Sequence, residues 1–541
     1  MLTNTITLDG AISAAAEARP DQEVLVCGSQ RLTNRELIRR IHSLAAGLAR
    51  AGVRKGDKVV ALLPPGAELA SLFFGVVQLG AVIVPLNPDL RERALLDVLE
   101  DSQPVALVVS HSVGDEITRQ VPGLRHVFRT EDGNDGRLLE AIMAPGPTEP
   151  PPGDVDAGDL CALLYTSGTT GKPKATMHTH RGLIAPVAAT LKIREQWARP
   201  SSLRMVMEAA KAVARYRSRV LRTIGKPQTI MSTTGWHTIT GLHVMLQGLL
   251  MGDRLVAMTR FHPAEALSLV ERERVTILVA VPTAYEALLA LPDVASHDLS
   301  SLLVCASGGA ACPPALAREI RRTFGCALYN GFGMTEAAGG ISVSSMADSD
   351  EQQDQTVGRV MPGIDARIVD GDRRNLPAGE TGELAVRGEG VMLGYYKAPE
   401  LTARVKDNEG WLYTGDLARI DAKGYLHIMG RTKDVIIRGG QNIYPAEIER
   451  LLVEHPKIEE AAVVGVPSAV GGESVWAFVR LAGNAGMTVE EVLDYCRGRL
   501  EIYKIPSQVR FVEELPRAET GKTQKFKLRE EALKEMGGGI R

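Results

Sequence analysis

Ten consecutive residues carry the groups that could bind a polyphosphate. They read YTSGTTGKPK, from Tyr165 to Lys174, and they follow an apolar run typical of a buried strand. Glycines let the backbone approach a ligand and aim N–H groups at one anion, hydroxyls add donors, and lysines neutralise charge. The loop is not a P-loop, because Gly168 and Gly171 enclose two residues rather than four. We predict a phosphate-binding loop; the alternative is a flexible surface loop.

This loop resembles the signature of the adenylate-forming enzymes, and six further segments in matching order extend the resemblance from about residue 8 to residue 530. They are VPTAY (281–285), SGGAACPP (307–314), NGFGMTE (330–336), WLYTGD (411–416), GRTKDVIIRGGQNIYPAEIE (430–449) and LPRAETGKTQKFKLRE (515–530). Within this superfamily the chain is most similar to the acyl-CoA synthetases, the CoA ligase branch. Ala175 and Phe332 stand where the family usually has Gly and Tyr, and TTGWH replaces its PLFH.

The resemblance implies a two-step reaction. A carboxylate attacks the α-phosphate of ATP and releases pyrophosphate, and the thiol of CoA then attacks the acyl-adenylate. The residues it assigns to ATP are Thr166, Ser167, Gly168, Thr169, Thr170, Gly171, Lys172 and Lys174 at the β- and γ-phosphates, Thr335 at the α-phosphate, Glu336 at Mg²⁺, Phe332 with Gly333 at adenine, Asp416 at ribose, and Arg431 at ribose or phosphate. Phosphoryl transfer depends mainly on positioning and charge neutralisation, which these residue types supply.

The resemblance also assigns roles to the last hundred residues. Lys522 would catalyse adenylation together with Thr335 and Glu336, by stabilising the charge redistributed in the transition state. The C-terminal unit would then rotate about a hinge at Lys433, and Gly439 with Gly440 would give the pantetheine chain of CoA close backbone approach.

The acyl pocket of this family corresponds here to residues 232–242, 307–311 and 331–340. We expect Trp236 and His237 to form its wall and gate, with Gly308, Gly309 and Gly331 beside them. The alternative is that Trp236 is a core residue and that His237 makes its hydrogen bonds within the protein. No Asp or Glu occurs in residues 228–252, so a partner for an α-ammonium is missing.

We therefore expect a hydrophobic carboxylic acid as substrate. A fatty acid of medium to long chain is our first prediction, with an aryl or alicyclic acid as the alternative. Two other functions stay open: an adenylating enzyme that loads a carrier protein, which we expect less, and a non-catalytic sensor of acyl groups or nucleotides. The sensor conflicts with the presence of Lys522, Glu336 and Asp416 together.

The elements that must position these residues form an α/β pattern. Near-continuous apolar strands at residues 57–65, 104–110, 160–168, 276–283 and 301–309 alternate with helical patterns, as in parallel sheets covered on both faces. We predict a large N-terminal domain of layered α/β subdomains over residues 1–432. It would include a β-rich subdomain at about 341–430, and a small mobile α+β domain at 433–541 would follow it.

Residues 203–222 predict a basic amphipathic helix. Arg204, Lys211, Arg215, Arg219 and Arg222 would share one face, and Leu203, Val206, Ala210, Val213 and Val220 the other. The plain interpretation is a packed surface helix with a solvated basic face. The sharper hypothesis is a weak contact with a membrane surface or with CoA phosphates.

Composition excludes several classes of protein. The chain has 541 residues, of which 45% are hydrophobic and 23% charged, as in ordinary globular proteins. Its net charge of −3 offers no overall field for nucleic acid. Six scattered cysteines without metal-ligand spacing, and no visible signal or membrane segment, predict a cytoplasmic protein whose partner is a small-molecule carboxylate.

Overall fold

The computed structural model describes residues 6–110, 120–130, 137–143, 153–166, 174–198, 200, 202–223, 225–438, 441–468, 472–483, 485–517 and 522–538. Ser167 to Lys172, Gly439 and Gly440, to which the sequence assigns phosphate and pantetheine contacts, lie outside these residues.

The strands of the described residues are, in chain order, β1 (Glu23–Cys27), β2 (Gln30–Thr33), β3 (Lys58–Leu62), β4 (Val82–Pro85), β5 (Ala106–Val109), β6 (His126–Arg129), β7 (Arg137–Leu138), β8 (Leu160–Thr166), β9 (Lys174–Thr179), β10 (Thr229–Ser232), β11 (Arg254–Ala257), β12 (Ile277–Ala280), β13 (Val304–Ser307), β14 (Ala327–Met334), β15 (Gly339–Val343), β16 (Arg359–Val360), β17 (Ile364–Val369), β18 (Gly382–Gly388), β19 (Leu412–Ile420), β20 (Leu426–Arg431), β21 (Ile436–Arg438), β22 (Gln441–Ile443), β23 (Ile458–Ser468), β24 (Gly472–Leu481) and β25 (Gln508–Phe511).

The helices are α1 (Leu8–Ala18), α2 (Asn34–Arg50), α3 (Ala67–Gln78), α4 (Glu92–Ser102), α5 (Leu139–Met143), α6 (His180–Ala198), α7 (Leu203–Thr223), α8 (Ile239–Leu250), α9 (Pro263–Arg272), α10 (Pro282–Leu289), α11 (Pro314–Phe324), α12 (Asp350–Gln355), α13 (Pro399–Val405), α14 (Pro445–Val453), α15 (Val489–Arg497) and α16 (Lys525–Gly538).

Two sheets with parallel centres form the large N-terminal domain. One has the order β16-β15-β14-β13-β12-β10-β11-β1-β2 and is parallel from β14 to β1; the other has the order β7-β6-β5-β3-β4-β8-β9 and is antiparallel only at β9. All five apolar runs of the sequence are strands of these sheets, because continuous Val, Leu and Ile suit a strand covered on both faces. The predicted α/β class is confirmed.

One hydrophobic core joins the two sheets through the helices between them. Leu25 of the first sheet and Val59 of the second belong to the same buried cluster, together with Phe73 and Phe74 of α3. Aromatic and β-branched side chains bury large apolar areas at such a junction, and each contributes about 1.5–3 kcal/mol of transfer free energy. The two sheets therefore hold their loops in a fixed relation, which the site requires.

A four-stranded antiparallel sheet, in the order β17-β18-β19-β20, follows in the chain. It begins at Ile364 rather than near residue 341, because β15 and β16 extend the nine-stranded sheet by antiparallel pairing. Both faces of β18 are covered: Leu384 and Val386 pack in one buried cluster, and Ala385 between them packs in another with Trp411 and Tyr413.

The small C-terminal domain has a sheet in the order β22-β21-β24-β23, with β25 parallel to β24. Its helix α15 begins with a capping box: the Thr488 hydroxyl accepts from the N–H of Glu491, and the Glu491 carboxylate accepts from the N–H of Thr488. Lys433 lies in a 3-10 turn, Thr432–Asp434, between the last strand of the preceding sheet and the first strand of this one. The domain boundary at residues 432 and 433 stays a prediction.

The orientation predicted for α7 is confirmed for Val220, which is buried against the nine-stranded sheet, and for the exposed Lys211, but it is wrong for the first turn and for Arg219. Leu203 and Val206, expected to pack, are 77% and 48% exposed. Arg219, expected in solvent, donates to the backbone carbonyls of Leu302 and Phe324 at 2.5 and 2.9 Å, and Arg215 pairs with Asp350. The backbone of α7 leaves the helical conformation at Tyr216, so one periodicity does not describe both parts of the helix, and carbonyls at the ends of neighbouring elements attract Arg219.

No helix among the described residues is both long and apolar enough to cross a membrane.

Candidate active site

A cavity of about 3620 Å³ opens where the four sheets meet. Most of the described residues with a predicted role in the reaction contribute to its wall. The predicted residues that line it are Thr166, Lys174, His237, Gly308, Gly309, Gly331, Phe332, Gly333, Thr335, Glu336, Asp416, Arg431, Lys433 and Lys522. Residues up to 356 positions apart in the chain, Thr166 and Lys522, thus face one space.

The phosphate loop is anchored by a strand pair. Thr166 ends β8 and Lys174 begins β9, and the two are direct antiparallel partners. The strands are pinned further by backbone hydrogen bonds to the 393–396 segment, such as Tyr396 N–H to Ala175 O at 2.8 Å. The side chain of Ala175 is buried beneath this hairpin, so the methyl group that replaces the family's usual glycine is accommodated. The loop therefore starts and ends at the cavity edge.

Glu336 is held from two directions. The Tyr395 hydroxyl donates to its Oε1 at 2.9 Å, and its backbone carbonyl accepts from the Met392 N–H at 2.8 Å. Burial and the nearby carboxylate of Glu336 raise the pKa of Tyr395, so the phenol stays a donor at neutral pH. The Lys174 ammonium lies 5.9 Å from the centre of the Tyr395 ring. Tyr395 thus stands between the lysine of the phosphate loop and the predicted metal ligand, and sequence reasoning missed it.

The donors present fit a magnesium ion that is shared with a nucleotide. Among the described residues no three His, Cys, Asp or Glu side chains cluster as a metal cage. Mg²⁺ is usually held by one or two carboxylates together with substrate phosphates and water, so the single carboxylate of Glu336 on the cavity wall is a sufficient protein contribution.

Asp416 and Arg431 form a pair across β19 and β20. They are direct strand partners, and the Arg431 Nε lies 3.3 Å from the Asp416 Oδ1. Burial raises the pKa of the Asp416 carboxyl, while Arg431 and Lys522 act in the opposite direction. The guanidinium neighbour and the buried position hold the carboxylate in one orientation, as an acceptor of two hydroxyl groups needs to be held.

Lys522 brings the C-terminal domain to the cavity. Loss of hydration inside the cleft and the nearby Arg431 lower the pKa of its ammonium, while Asp416 and Glu336 raise it. Asp416 and Arg431 belong to the antiparallel sheet, and Glu336 follows β14 of the nine-stranded sheet. Lys522 belongs to the C-terminal domain, so it faces the predicted nucleotide contacts from a different part of the fold. Sequence spacing alone does not predict that meeting, because Lys522 is 91 residues after Arg431.

Glycines shape the strand beside Phe332. A Cβ on Gly333 would stand 2.1 Å from the carbonyl oxygen of Gly339, so any larger residue would separate β14 from β15. A Cβ on Gly308 would contact nothing within 4 Å, since that residue opens onto the cavity. Phe332 itself lines the cavity and packs against the core of the antiparallel sheet.

Trp236 does not form the pocket wall. Its side chain is 2% exposed within the core between the two large sheets, and it is absent from the cavity lining. The prediction is therefore wrong for Trp236, because the large indole gains more from burial than from a polar cleft. His237, the next residue, does line the cavity, and its ring packs against Gly235.

Comparison with known proteins agrees with this arrangement. The family model described as AMP-binding enzyme matches residues 12–396, and that of the AMP-binding enzyme C-terminal domain matches residues 447–522. The chain is 36% identical over 518 residues to a feruloyl-CoA synthase of Amycolatopsis, which covers 95% of this chain and 96% of the relative. It is 32% identical over 513 residues to the medium-chain fatty-acid–CoA ligase of Escherichia coli (strain K12), covering 91% and 84%.

A solved structure shares the whole architecture. The anthranilate CoA ligase AuaEII in complex with anthranoyl-AMP is similar with a TM-score of 0.84 and 27% identity over 98% of both chains. Since the first family model alone covers more than half of the chain, the protein belongs to the AMP-binding enzymes, the adenylate-forming superfamily, in its CoA ligase branch.

Proposed function

We propose that this AMP-forming acid–CoA ligase activates a hydrophobic carboxylic acid with ATP and transfers the acyl group to CoA. The observation that carries the proposal is the meeting of Lys174, Glu336, the Asp416–Arg431 pair and Lys522 around one cavity. Such a set supplies cations for phosphates, a carboxylate for a metal and an acceptor for ribose hydroxyls, all held by separate rigid elements.

In the first step the carboxylate of the acid attacks the α-phosphate, and pyrophosphate leaves. Thr166, Lys174 and the loop between them hold the β- and γ-phosphates, and Thr335 contacts the α-phosphate. Glu336, oriented by Tyr395, would hold a magnesium ion, which when bound supplies positive charge beside the phosphates. Lys522 reaches the carboxylate and α-phosphate oxygens, where its positive charge stabilises the transition state.

The same proposal places the other nucleotide contacts. Phe332 stacks on adenine beside Gly333, Asp416 binds the ribose hydroxyls, and Arg431 contacts ribose or phosphate. In the second step the C-terminal domain turns about Lys433, which withdraws Lys522, and Gly439 with Gly440 line the path of pantetheine. The thiol of CoA then displaces AMP from the acyl carbon.

The substrate is an acid without a charged amine. Residues 228–252, which supply one wall of the cavity, contain no Asp or Glu. Relatives act on feruloyl and on medium-chain acyl groups, so both an aryl and a fatty acid are candidates. A medium to long fatty acid stays our first proposal and an aryl or alicyclic acid the second. Contact with a membrane through residues 203–222 is not proposed, because Arg215 and Arg219 bind the protein itself.

Mass spectrometry of products tests the proposal. The protein is incubated with MgATP, CoA and a pool of fatty, aryl and alicyclic acids, and a Lys522→Ala variant serves as the control. Acyl-CoA formed by the wild type and lost in the variant supports the ligase and names the acid. Acyl-adenylate without thioester would point to a carrier protein as acceptor instead, and no product from any acid would contradict the proposal.

A further inference from the structure

Beyond its first turn, where Thr240 also lines the cavity, helix α8 has two polar side chains on its cavity side. From Gly241 to Leu250 every residue is buried except His243 and Gln247, which retain partial exposure and lie one turn apart on the same face. Both line the cavity. A helix otherwise buried on all sides normally has apolar residues throughout, so two polar residues on the face that meets the cavity need a physical reason.

Neither side chain has a hydrogen-bond partner among the described residues, and neither is charged. Burial lowers the pKa of His243 to about 4, so its imidazole is neutral at pH 7 with one donor and one acceptor nitrogen. Gln247 offers an amide with both functions. Since both side chains retain access to the cavity, an occupant that takes this space from water has to supply hydrogen-bond partners in its place.

The position of His243 relates these groups to the reaction. A Cβ on Gly339 would lie 3.8 Å from the Nδ1 of His243, so the ring stands against the glycine strand that follows Glu336. Gln247 lies one turn further along, about 6 Å at 1.5 Å per residue. An acid that extends from the reaction site along α8 would therefore meet His243 before Gln247.

The strand β12 presents apolar side chains to the cavity. Ile277 and Val279 of β12 retain exposure although β12 is a central strand, and the alternate residues Leu278 and Ala280 are buried. The cavity therefore continues over this face of the sheet, where Ala306 and Tyr329 also line it. An occupant of this space must be largely hydrocarbon, with polar atoms where polar side chains such as His243 and Gln247 line it.

We propose that the acid activated by this enzyme carries a neutral oxygen group, such as a hydroxyl, ether or carbonyl, on an otherwise apolar skeleton, and that His243 and Gln247 bind it. The inference rests on the proposed function and narrows its substrate class. A plain hydrocarbon acid would leave both side chains unpartnered, whereas an oxygenated acid satisfies them. Sites built to bind a substrate hydroxyl discriminate strongly against analogues that lack it.

Matched pairs of acids test this inference. The probes are cinnamic and 4-hydroxycinnamic acid, and decanoic and 10-hydroxydecanoic acid, each assayed for pyrophosphate release with saturating MgATP. For at least one pair we expect the wild type to favour the oxygenated acid in kcat/KM by about tenfold or more. His243→Leu and Gln247→Leu should each reduce that ratio toward one and retain activity with the plain acid.

Two further measurements separate recognition from a structural role. Leu246→Met changes α8 on the side away from the cavity with little change of volume, and it should leave the ratio as in the wild type. His243→Leu should unfold at a temperature no lower than the wild type, because no hydrogen bond within the described residues is lost.

Equal kcat/KM for both members of every pair would overturn the inference, although pyrophosphate release would still support the proposed function. A variant that slows both members of a pair by the same factor would also overturn it, since that pattern indicates contact with the common carboxylate. No pyrophosphate from any acid would contradict the proposed function and the inference with it.

Discussion

At the scale of single residues, the site combines side chains that motifs identify with one that they do not. Glu336 and Lys522 lie in segments that resemble family motifs, but Tyr395 acts on Glu336 only through space. The tyrosine lies in GYYKAPE, 59 residues after the glutamate. Its hydrogen bond leaves the second carboxylate oxygen of Glu336 available, and a fixed carboxylate is a better ligand than one that must first be oriented.

Tyr395→Phe is expected to raise the Mg²⁺ concentration needed for half-maximal pyrophosphate release by about three- to tenfold, the effect of a lost hydrogen bond to a charged group. The measurement is a magnesium titration at fixed ATP. Tyr396→Phe is the matched control, because its neighbours are Lys58 and Lys397 rather than Glu336. An unchanged titration for Tyr395→Phe would show that Glu336 is positioned without it.

The pH profile should report the charge of Lys522. Loss of hydration and Arg431 lower the pKa of its ammonium, and the charged form is the one that stabilises the transition state. Since the ammonium loses its proton as pH rises through that pKa, kcat/KM for adenylation should fall at a pH below the range where an exposed lysine titrates.

Lys522→Arg tests this assignment, because a guanidinium keeps its charge throughout that range. The alkaline decline should move to higher pH in the variant, whatever the loss of rate at neutral pH. Lys527→Arg, an exposed position on α16 that does not line the cavity, should keep the wild-type profile. A decline at the same pH in Lys522→Arg would assign it to another group.

At the scale of elements, helix α7 shows how carbonyl groups decide an orientation. Arg219 points toward the protein, because it donates to two backbone carbonyls, those of Leu302 and Phe324. The carbonyl of Leu302 lies just before β13, and that of Phe324 lies at the end of α11. Carbonyl groups at such positions lack a donor within their own strand or helix. Ala212 and Val220 fill the space between α7 and the nine-stranded sheet.

Arg219→Ala should therefore destabilise the fold by about 1–3 kcal/mol, the usual cost of leaving polar groups without a partner. Chemical denaturation at constant protein concentration measures it. Lys211→Ala on the exposed side of the same helix should change the free energy of unfolding by less than about 0.5 kcal/mol. Equal effects of the two substitutions would contradict the orientation of α7.

At the scale of the whole molecule, the reaction depends on where the C-terminal domain lies relative to the other sheets. Lys522 faces Asp416 and Glu336 in this arrangement, which suits adenylation. The turn Thr432–Asp434 is the short connection between the antiparallel sheet and the C-terminal sheet. Few dihedral angles can therefore absorb a rotation of the domain, and Lys433 carries two of them.

Lys433→Pro should retain pyrophosphate release and lose thioester formation by about a hundredfold or more, since proline fixes φ near −65° and prevents the rotation. The two half-reactions are measured separately, the second by acyl-CoA formation. The Lys433→Ala variant should carry out both half-reactions. Unaltered thioester formation in the proline variant would remove Lys433 as the hinge.

The sequence by itself determined the α/β class, the strand positions and the family, because continuous apolar runs and ordered motifs are local properties of the chain. The capping box of α15 and the helix-to-strand passage from α3 to β4 are equally local. Only the tertiary structure decided that Trp236 belongs to the core, that Arg219 of α7 binds backbone carbonyls of the protein and that Tyr395 reaches Glu336. Each of these depends on which distant surface a side chain meets, and the amino-acid pattern along one element does not contain that information. The role of His243 and Gln247 also depends on the tertiary structure. The sequence shows two polar residues on a helix, and the fold shows that the face they share lines a cavity.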